Sequence, residues 1–174
     1  GEALARFRRE GATLSRVRHP AVVQVFDVGQ EACHPYLMLE LVDGESLRSM
    51  ITREAPLNPM RVVGLLRPIL AGLQACHDLD IIHRDLKPSN VLVDRLGHAL
   101  LADFGIALLF DEDRTTRTQI AMGSMMYMAP EQRIDARGVG PAADLYAVGS
   151  TTYALLTGAT PVDLWLDTQT HRLQ

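Results

Sequence analysis

The sequence predicts an α+β fold, in which amphipathic helices and short strands occupy successive parts of the chain. Two observations support this class. Apolar residues recur at helical spacing in residues 2–18, in a run that begins at Pro59, and in residues 142–157. Short strand-like runs, bounded by glycine and other turn-forming residues, occupy much of the chain between these helices.

The composition is that of a globular protein. Of the 174 residues, 47% are hydrophobic and 22% are charged, and the net charge is −4. We therefore expect no nucleic-acid partner, and the one basic cluster, at Arg6, Arg8 and Arg9, is interpreted as a solvated helix face. Cys33 and Cys76 lack metal-ligand spacing, which favours reduced thiols in a cytoplasmic protein. No apolar run approaches the ~18 residues of a membrane helix, so no membrane segment is expected in this chain.

The first helix is predicted over residues 2–18, with Leu4, Phe7 and Leu14 on its apolar stripe. Glu10 lies on the same stripe. A carboxylate that faces a core is costly unless a cation meets it, so Glu10 is expected to have a basic partner.

Two strand-like runs follow, residues 22–28 and 36–41. After a turn at Asp43–Gly44, Ser46 is a candidate N-cap for a short helix. Asn58 and Pro59 then have the residue types of an N-cap and a first helical position, and they predict the start of a long helix. That helix contains Pro68, which we expect to kink it.

The second half of the chain begins with two more short strands, residues 91–93 and 99–102, on either side of a turn. A polar, irregular stretch is expected from Asp111 to Pro130. The last predicted helix, residues 142–157, should end at Gly158.

Three motifs are the strongest functional signals. Residues 83–90 read HRDLKPSN, residues 103–105 read DFG, and residues 129–131 read APE. Together, and in this order, they resemble the catalytic loop, the metal-binding motif and the end of the activation segment of Hanks-type serine/threonine protein kinases, most closely the bacterial members.

This resemblance implies a two-lobed protein-kinase-like fold in truncated form, with a partial β-rich N-lobe and a mostly helical C-lobe. The implied domains are a partial N-lobe at residues 1–41, a hinge at residues 42–45 and a partial C-lobe at residues 46–174. The chain opens with glycine instead of methionine, which we interpret as a fragment.

The resemblance also assigns the catalytic roles. Asp85 matches the carboxylate that accepts the proton of the substrate hydroxyl, and Lys87 matches the lysine that contacts the transferred phosphate in serine/threonine kinases. Asn90 and Asp103 match the ligands of Mg²⁺, a cation that prefers carboxylate and amide oxygens.

Two residues carry over as structural parts of the site. His83 is expected to stack on Phe104 with Leu14 above it, as a packing residue instead of a base. Asp144 matches the buried aspartate that holds the backbone of the catalytic loop.

The ATP site is implied by the segment YLMLELVDG. Leu39 falls at the gatekeeper position, and Glu40 and Val42 would offer backbone groups to adenine. Leu92 would form the floor of the adenine pocket, and Glu45 is a candidate ribose contact.

Regulation is implied between the DFG and APE motifs. At least one threonine there is expected to be an activating phosphosite, and Arg84 matches the arginine that grips such a phosphate. Ser124 stands where the family usually has a threonine that contacts the catalytic loop. The candidate phosphosites are Thr115, Thr116 and Thr118.

In the family, Glu10 would pair with a lysine that positions the ATP phosphates, on a strand that would precede residue 1. Sixteen of the seventeen basic residues are arginine, and Lys87 is the only lysine. The sequence therefore predicts no substitute partner for Glu10 and an isolated chain that is weakly active or inactive. The last C-lobe helices are likewise expected to follow Gln174, so Glu131 would lack its usual arginine partner.

Three functions remain open at this point. The first is an ATP- and Mg²⁺-dependent kinase that phosphorylates serine and threonine in proteins, with a dimer of kinase domains for autophosphorylation. The second is a catalytically inactive kinase-like binding module. The third, a small-molecule phosphotransferase, is disfavoured by Lys87 and the APE motif. Bacterial members of the family often carry a membrane anchor outside the kinase domain, so such an anchor remains compatible with the sequence.

Overall fold

The structure is a computed structural model that describes residues 2–32, 34–104, 125–135 and 138–161. Helices and short antiparallel strands alternate along the chain, as the α+β prediction requires. A single 3₁₀ turn, at Pro88–Asn90, precedes the fourth strand. In chain order the elements are α1 (Glu2–Leu14), β1 (Val25–Glu31), β2 (His34–Leu39), β3 (Gly44–Ser46), α2 (Leu47–Glu54), α3 (Pro59–His77), β4 (Val91–Asp94), β5 (Ala99–Leu101), α4 (Pro130–Ile134) and α5 (Pro141–Thr157).

Helix α1 is shorter than the predicted span of residues 2–18. It ends at Leu14, and the chain then tightens through the bonds from Arg16 N to Thr13 O (3.1 Å) and from Val17 N to Leu14 O (3.0 Å). Such i to i+3 bonds satisfy carbonyls that the end of a helix leaves without a partner. Val17 is buried although it lies outside the helix, which explains why the apolar pattern continued past Leu14.

The first hairpin is displaced from its predicted position. Strands β1 and β2 are antiparallel, but β1 begins at Val25 instead of residue 22. Val22 instead forms an isolated parallel bridge with Leu101, in which Leu101 N donates to Ala21 O (2.8 Å) and Val23 N donates to Leu101 O (2.9 Å). The apolar run at residues 22–28 therefore serves two different sheets.

The second sheet has the order β3-β4-β5 and is antiparallel throughout. Residues 91–93 and 99–102 form β4 and β5 as predicted, to within one residue. Strand β3 was not predicted, because the sequence at Gly44 was interpreted only as part of a turn. Gly44 in fact pairs with Asp94, and Ser46 pairs with Leu92.

The helix starts are confirmed in detail. The Ser46 hydroxyl accepts a bond from Ser49 N (3.2 Å) at the start of α2, and the Asn58 side chain accepts one from Met60 N (2.9 Å) at the start of α3. Helix α3 continues as one helix through Pro68 to His77, and the kink at Pro68 stays a prediction.

The last two helices, α4 and α5, lie on either side of residues 136–137, which are outside the described residues. Helix α5 begins at Pro141 and ends at Gly158, whose φ of +77° is the left-handed conformation that glycine adopts without strain. Helix α4 was not predicted, since no element was predicted between the irregular stretch that ends at Pro130 and the helix expected from residue 142.

One continuous apolar core joins α1 to α5. Helix α3 runs through its centre, where Ile69 and Leu73 are almost completely buried. Leu47 of α2, Leu101 of β5 and Leu155 of α5 pack into the same cluster. Burial of this apolar surface is the main term that stabilises the fold. In the described part of the chain, no helix is both long enough and apolar enough to cross a bilayer.

Candidate active site

The loop between α3 and β4 brings together the side chains of Asp85, Lys87 and Asn90. Lys87 Nζ lies 2.7 Å from Asp85 Oδ2, and Asn90 Nδ2 donates to the same oxygen at 3.0 Å. Because both bonds fall on Oδ2, the second carboxylate oxygen, Oδ1, is the one positioned to meet another group. A carboxylate oriented by a lysine and an amide can accept a proton from a hydroxyl placed against Oδ1.

Asn90 also connects this loop to Asp103. Its Nδ2 atom donates to the backbone carbonyl of Asp85 (2.8 Å) and approaches the carbonyl of Asp103 at 3.5 Å. The other amide atom, Asn90 Oδ1, accepts a bond from the Ser89 hydroxyl at 3.1 Å. Asp103 is exposed just after β5, so its carboxylate is accessible as a hard oxygen ligand, and Asn90 Oδ1 can supply a second through its other lone pair.

Two residues of the site have unusual backbone conformations. Arg84 has a φ of +64° and Asp103 a φ of +48°, in the left-handed region that residues with a side chain seldom adopt. Each conformation costs free energy that the surrounding structure must offset. Arg84 immediately precedes Asp85, so its conformation sets the direction in which Asp85 leaves the loop.

Asp144 supports that conformation from α5. Its carboxylate accepts bonds from His83 N at 2.9 Å and from Arg84 N at 3.0 Å, and the side chain is almost completely buried. Charge-assisted bonds to backbone amides are among the stronger hydrogen bonds in proteins. The predicted contact of Asp144 with the backbone of the loop is therefore confirmed.

His83 is a packing residue, as predicted. Its ring stacks on Phe104 with centroids 4.4 Å apart, and its Nε2 donates to the Ala102 carbonyl at 3.0 Å. Leu14 belongs to the same buried cluster. Complete burial lowers the pKa of His83, although nearby Asp144 acts in the opposite direction. A neutral, enclosed imidazole is suited to packing and not to proton transfer with a substrate.

Glu10 has basic partners, which corrects the expectation that this chain offers none. Arg6 Nε lies 3.0 Å from Oε1, and Arg84 Nη1 lies 3.7 Å from Oε2. Two arginines therefore supply the positive charge that was expected to come only from a lysine.

A cleft of about 370 Å³ opens beside these groups, between α1 and the loop that precedes Asp85. Arg6, Arg9 and Arg84 contribute three guanidinium groups to its lining, and Glu10 and Asp80 contribute two carboxylates. Arg6 and Arg84 both contact Glu10, so the lining of the cleft combines paired charges with a small excess of positive charge. The candidate phosphosites Thr115, Thr116 and Thr118, together with Ser124, lie outside the described residues.

The residues predicted to contact a nucleotide divide into two groups. Val42 and Leu92 pack together against a small apolar cluster of Val23, Leu100 and Ala102. An apolar surface of this kind suits an aromatic base.

Of the remaining three, Leu39 and Glu40 are exposed and Glu45 is half-buried. Leu39 is 37% exposed at the end of β2, and the Glu40 amide donates to the Gln24 carbonyl at 2.8 Å. Glu45 accepts two bonds from Arg53, at 2.6 and 2.7 Å, so both carboxylate oxygens are engaged within the chain.

Two residues near the site were missed at the sequence level. His77, in the last turn of α3, places Nε2 2.8 Å from Asp144 Oδ2. Gln132, in α4, is buried and donates from Nε2 to the Arg84 carbonyl. A histidine at a helix C-terminus can be interpreted from sequence as a partner of the helix dipole. Nothing in the sequence around Gln132 indicates its contact, which joins residues 48 positions apart.

Comparisons with known proteins agree with the geometry. A family model described as a protein kinase domain matches residues 2–173. The chain is 40% identical over 158 residues to the serine/threonine-protein kinase PknL of Mycobacterium tuberculosis and 37% identical over 164 residues to PrkC of Bacillus subtilis. It is 42% identical over 164 residues to pkn2 of Myxococcus xanthus.

These alignments cover 91%, 93% and 91% of the chain, in the same order. They cover 39%, 25% and 20% of the three relatives, so the chain spans well under half of the length of the bacterial proteins that it matches.

Proposed function

This chain belongs to the protein kinase domain family, and we propose that the protein transfers the γ-phosphate of ATP to serine and threonine hydroxyl groups of other proteins. The observation that carries the proposal is the arrangement around Asp85. Its Oδ2 atom is bonded to both Lys87 and Asn90, which leaves Oδ1 for a substrate hydroxyl.

The reaction assigns a task to each side chain. The substrate oxygen forms a bond to the γ-phosphorus while the bond from phosphorus to the bridging oxygen of ADP breaks, and the hydroxyl proton passes to Asp85 Oδ1. Lys87, held 2.7 Å from Asp85, lies beside the reacting groups and can contact the transferred phosphate. Positioning and charge stabilisation account for most of the catalysis in such transfers.

Asn90 and Asp103 are the proposed ligands of Mg²⁺. An amide oxygen and a carboxylate fit the preference of this cation for hard oxygen ligands. Asn90 Oδ1 accepts a bond from the Ser89 hydroxyl at 3.1 Å, and its second lone pair would face the ion. When bound, the ion neutralises phosphate charge.

The proposed adenine site consists of the apolar surface of Val42 and Leu92 and the backbone next to Leu39. Since the Glu40 amide already donates to Gln24, the Glu40 carbonyl is the group that would meet adenine. The proposed ribose contact of Glu45 requires that one of its two bonds to Arg53 be exchanged.

Glu10 is proposed to orient the ATP phosphates through a lysine side chain. Lys87 is the only lysine among these 174 residues, and it is assigned to the transferred phosphate. The bonds that Glu10 makes to Arg6 and Arg84 would then be exchanged when the lysine that pairs with Glu10 engages.

The proposed regulation uses the arginine-lined cleft. Phosphorylation of Thr115, Thr116 or Thr118, by the same protein or by a second copy in a dimer, would add about −2 charge. Arg84 would bind the phosphate with Arg6 and Arg9, which line the same cleft. Mass spectrometry of the active protein should find a phosphate on at least one of the three threonines, and an unmodified segment would contradict this regulation.

Transfer of radiolabelled phosphate from ATP to casein, and to the protein itself, tests the proposed function in the full-length protein. We expect Asp85→Asn to lower the rate by 10²- to 10⁴-fold, roughly the usual contribution of a positioned acid or base, with ATP affinity retained. Asp78→Asn is the matched control, because Asp78 is exposed and an asparagine oxygen can keep its one side-chain bond, which it accepts from Gln74 Nε2 at 2.7 Å. If the parent protein and Asp85→Asn bound ATP equally and neither transferred phosphate, a kinase-like binding module would be the better description.

A further inference from the structure

Gln132 makes a buried contact with the backbone of the catalytic loop. The residue is 4% exposed, in the first turns of α4, and its Nε2 donates to the carbonyl oxygen of Arg84. A carbonyl can only accept, so the side-chain atom in this contact must be the amide nitrogen.

The contact completes a restraint on Arg84 from two sides. Asp144 of α5 binds the backbone N–H of Arg84 at 3.0 Å, and Gln132 of α4 binds its carbonyl. Arg84 needs such restraint because its φ of +64° is disfavoured for a residue with a side chain. The carbonyl belongs to the peptide group that joins Arg84 to Asp85, so Gln132 fixes the plane from which the Asp85 side chain projects.

We propose that Gln132 is a positioning residue for phosphoryl transfer, which acts through the Arg84 carbonyl to hold Asp85 in its reactive orientation. The proposal rests on the proposed kinase function. Its physical basis is that a small displacement of a reacting group, about 1 Å, can slow a reaction by about 10²-fold. Gln132 contacts the backbone of the loop through one hydrogen bond, so it is expected to affect the rate more than the binding of substrates.

Kinetic measurements on the full-length protein distinguish positioning from support of the fold. Gln132→Met keeps the length of the side chain and removes the donor, and Gln74→Met makes the same chemical change at an exposed position of α3. We expect Gln132→Met to lower kcat by on the order of ten- to a hundredfold. The KM for ATP and the dissociation constant for ATP with Mg²⁺ should stay within about twofold of the parent values, because no nucleotide contact is removed. Gln74→Met should have the kcat, the KM for ATP and the dissociation constant of the parent protein.

A second variant, Gln132→Glu, adds a readout that a purely structural role would not produce. A protonated carboxyl group can donate to the Arg84 carbonyl, whereas an ionised one repels it. The charged groups that line the same space are Arg84 and Asp85 of the loop and Asp144 of α5. Burial and the two aspartates should raise the pKa of the new carboxyl group, and Arg84 should lower it. The ratio of variant kcat to parent kcat should therefore rise as the pH falls from 8.5 to 6.

The possible results distinguish a failure of the positioning role from a failure of the proposed kinase function. If the parent protein transfers no phosphate, the proposed function fails. If the parent is active and Gln132→Met retains its kcat, or loses kcat only in proportion to the fraction unfolded, the positioning role is wrong. Should Gln132→Met not fold, the pH ratio of Gln132→Glu decides, and a ratio that does not change with pH overturns the proposal.

Discussion

The carboxylate of Asp144 lies 3.0 Å from the backbone nitrogen of Arg84, although 60 residues separate the two in sequence. The same carboxylate accepts a bond from His83 N and contacts His77, so one buried acid joins α3, the catalytic loop and α5. Removal of the Asp144 charge should therefore lower the stability of the whole fold and not only change the conformation of the loop.

Asp144→Asn should lower the free energy of unfolding by about 2–4 kcal/mol, because an amide group replaces one acceptor of buried, charge-assisted hydrogen bonds with a donor. Urea denaturation measures the change. Asp43→Asn is the control, since Asp43 forms an exposed ion pair with Arg95 and should change stability by less than about 1 kcal/mol. Equal effects of the two substitutions would contradict the anchoring role of Asp144.

The buried imidazole of His83 should make stability depend on pH. Burial lowers the pKa of His83 in the folded state, while the unfolded chain has the ordinary value of about 6.5. The unfolded state therefore binds more protons as the pH falls, and this contribution to stability is present above pH ~6.5 and lost below it.

His83→Phe keeps an aromatic ring against Phe104 and removes the titrating group. Urea unfolding between pH 7.5 and 5.5 should show a shallower loss of stability in the variant than in the parent. The difference in slope should be at most about 1.4 kcal/mol per pH unit. Parallel curves would show that His83 titrates equally in the folded and unfolded states.

Cys76 should be unreactive in the folded protein. Its side chain is completely buried, and burial, with a smaller effect from Asp144, raises the pKa of the thiol to about 12. The thiolate is the reactive form, so at pH 8 iodoacetamide should label the native protein more slowly than the urea-unfolded protein by about two to three orders of magnitude. A Cys33→Ser background leaves Cys76 as the single thiol. Similar rates in the two states would mean that α3 opens readily around Cys76.

Gly44→Ala should weaken the pairing of β3 with β4. A Cβ atom at Gly44 would lie 2.0 Å from the Val93 carbonyl oxygen, a backbone atom that cannot move without separating the strands. We expect a loss of about 2 kcal/mol or more, measured by urea denaturation.

Gly64→Ala is the matched control for Gly44→Ala. Gly64 lies within α3, and in the described part of the chain no atom beyond the adjacent helix backbone lies within 4 Å of the added carbon, so alanine there should stabilise the protein by about 0.5–1 kcal/mol. Opposite signs for the two substitutions are the expected result, and a neutral Gly44→Ala would contradict the close approach of β3 to β4.

Local signals in the sequence predicted the helix starts and one helix end well. Ser46 and Asn58 cap α2 and α3, and Gly158 ends α5, because capping depends on residues within one turn of the helix. The strand positions were less accurate. Val22 and Val25 have similar propensities, and only the position of Leu101, far along the chain, decides that Val22 leaves the first hairpin.

In the candidate site, too, local motifs were predictive and contacts between distant residues were not. The motifs specified Asp85, Lys87, Asn90 and Asp103 as a group, and the first three are joined by hydrogen bonds. The expectation that Glu10 has no basic partner was wrong, because the sequence does not show which arginines folding brings close to it.

By itself the sequence determined the α+β class, the family and the residues of the catalytic loop, because each of these depends on residue types at short, ordered spacing. The tertiary structure alone decided that Gln132 and Asp144 hold opposite ends of Arg84, and that Arg6 and Arg84 meet Glu10. Except for the pair Arg6–Glu10, these contacts join residues 48 to 74 positions apart. They form because burial of the common apolar core brings α1, the loop, α5 and Tyr127, which precedes α4, together, and polar groups enclosed there must find partners.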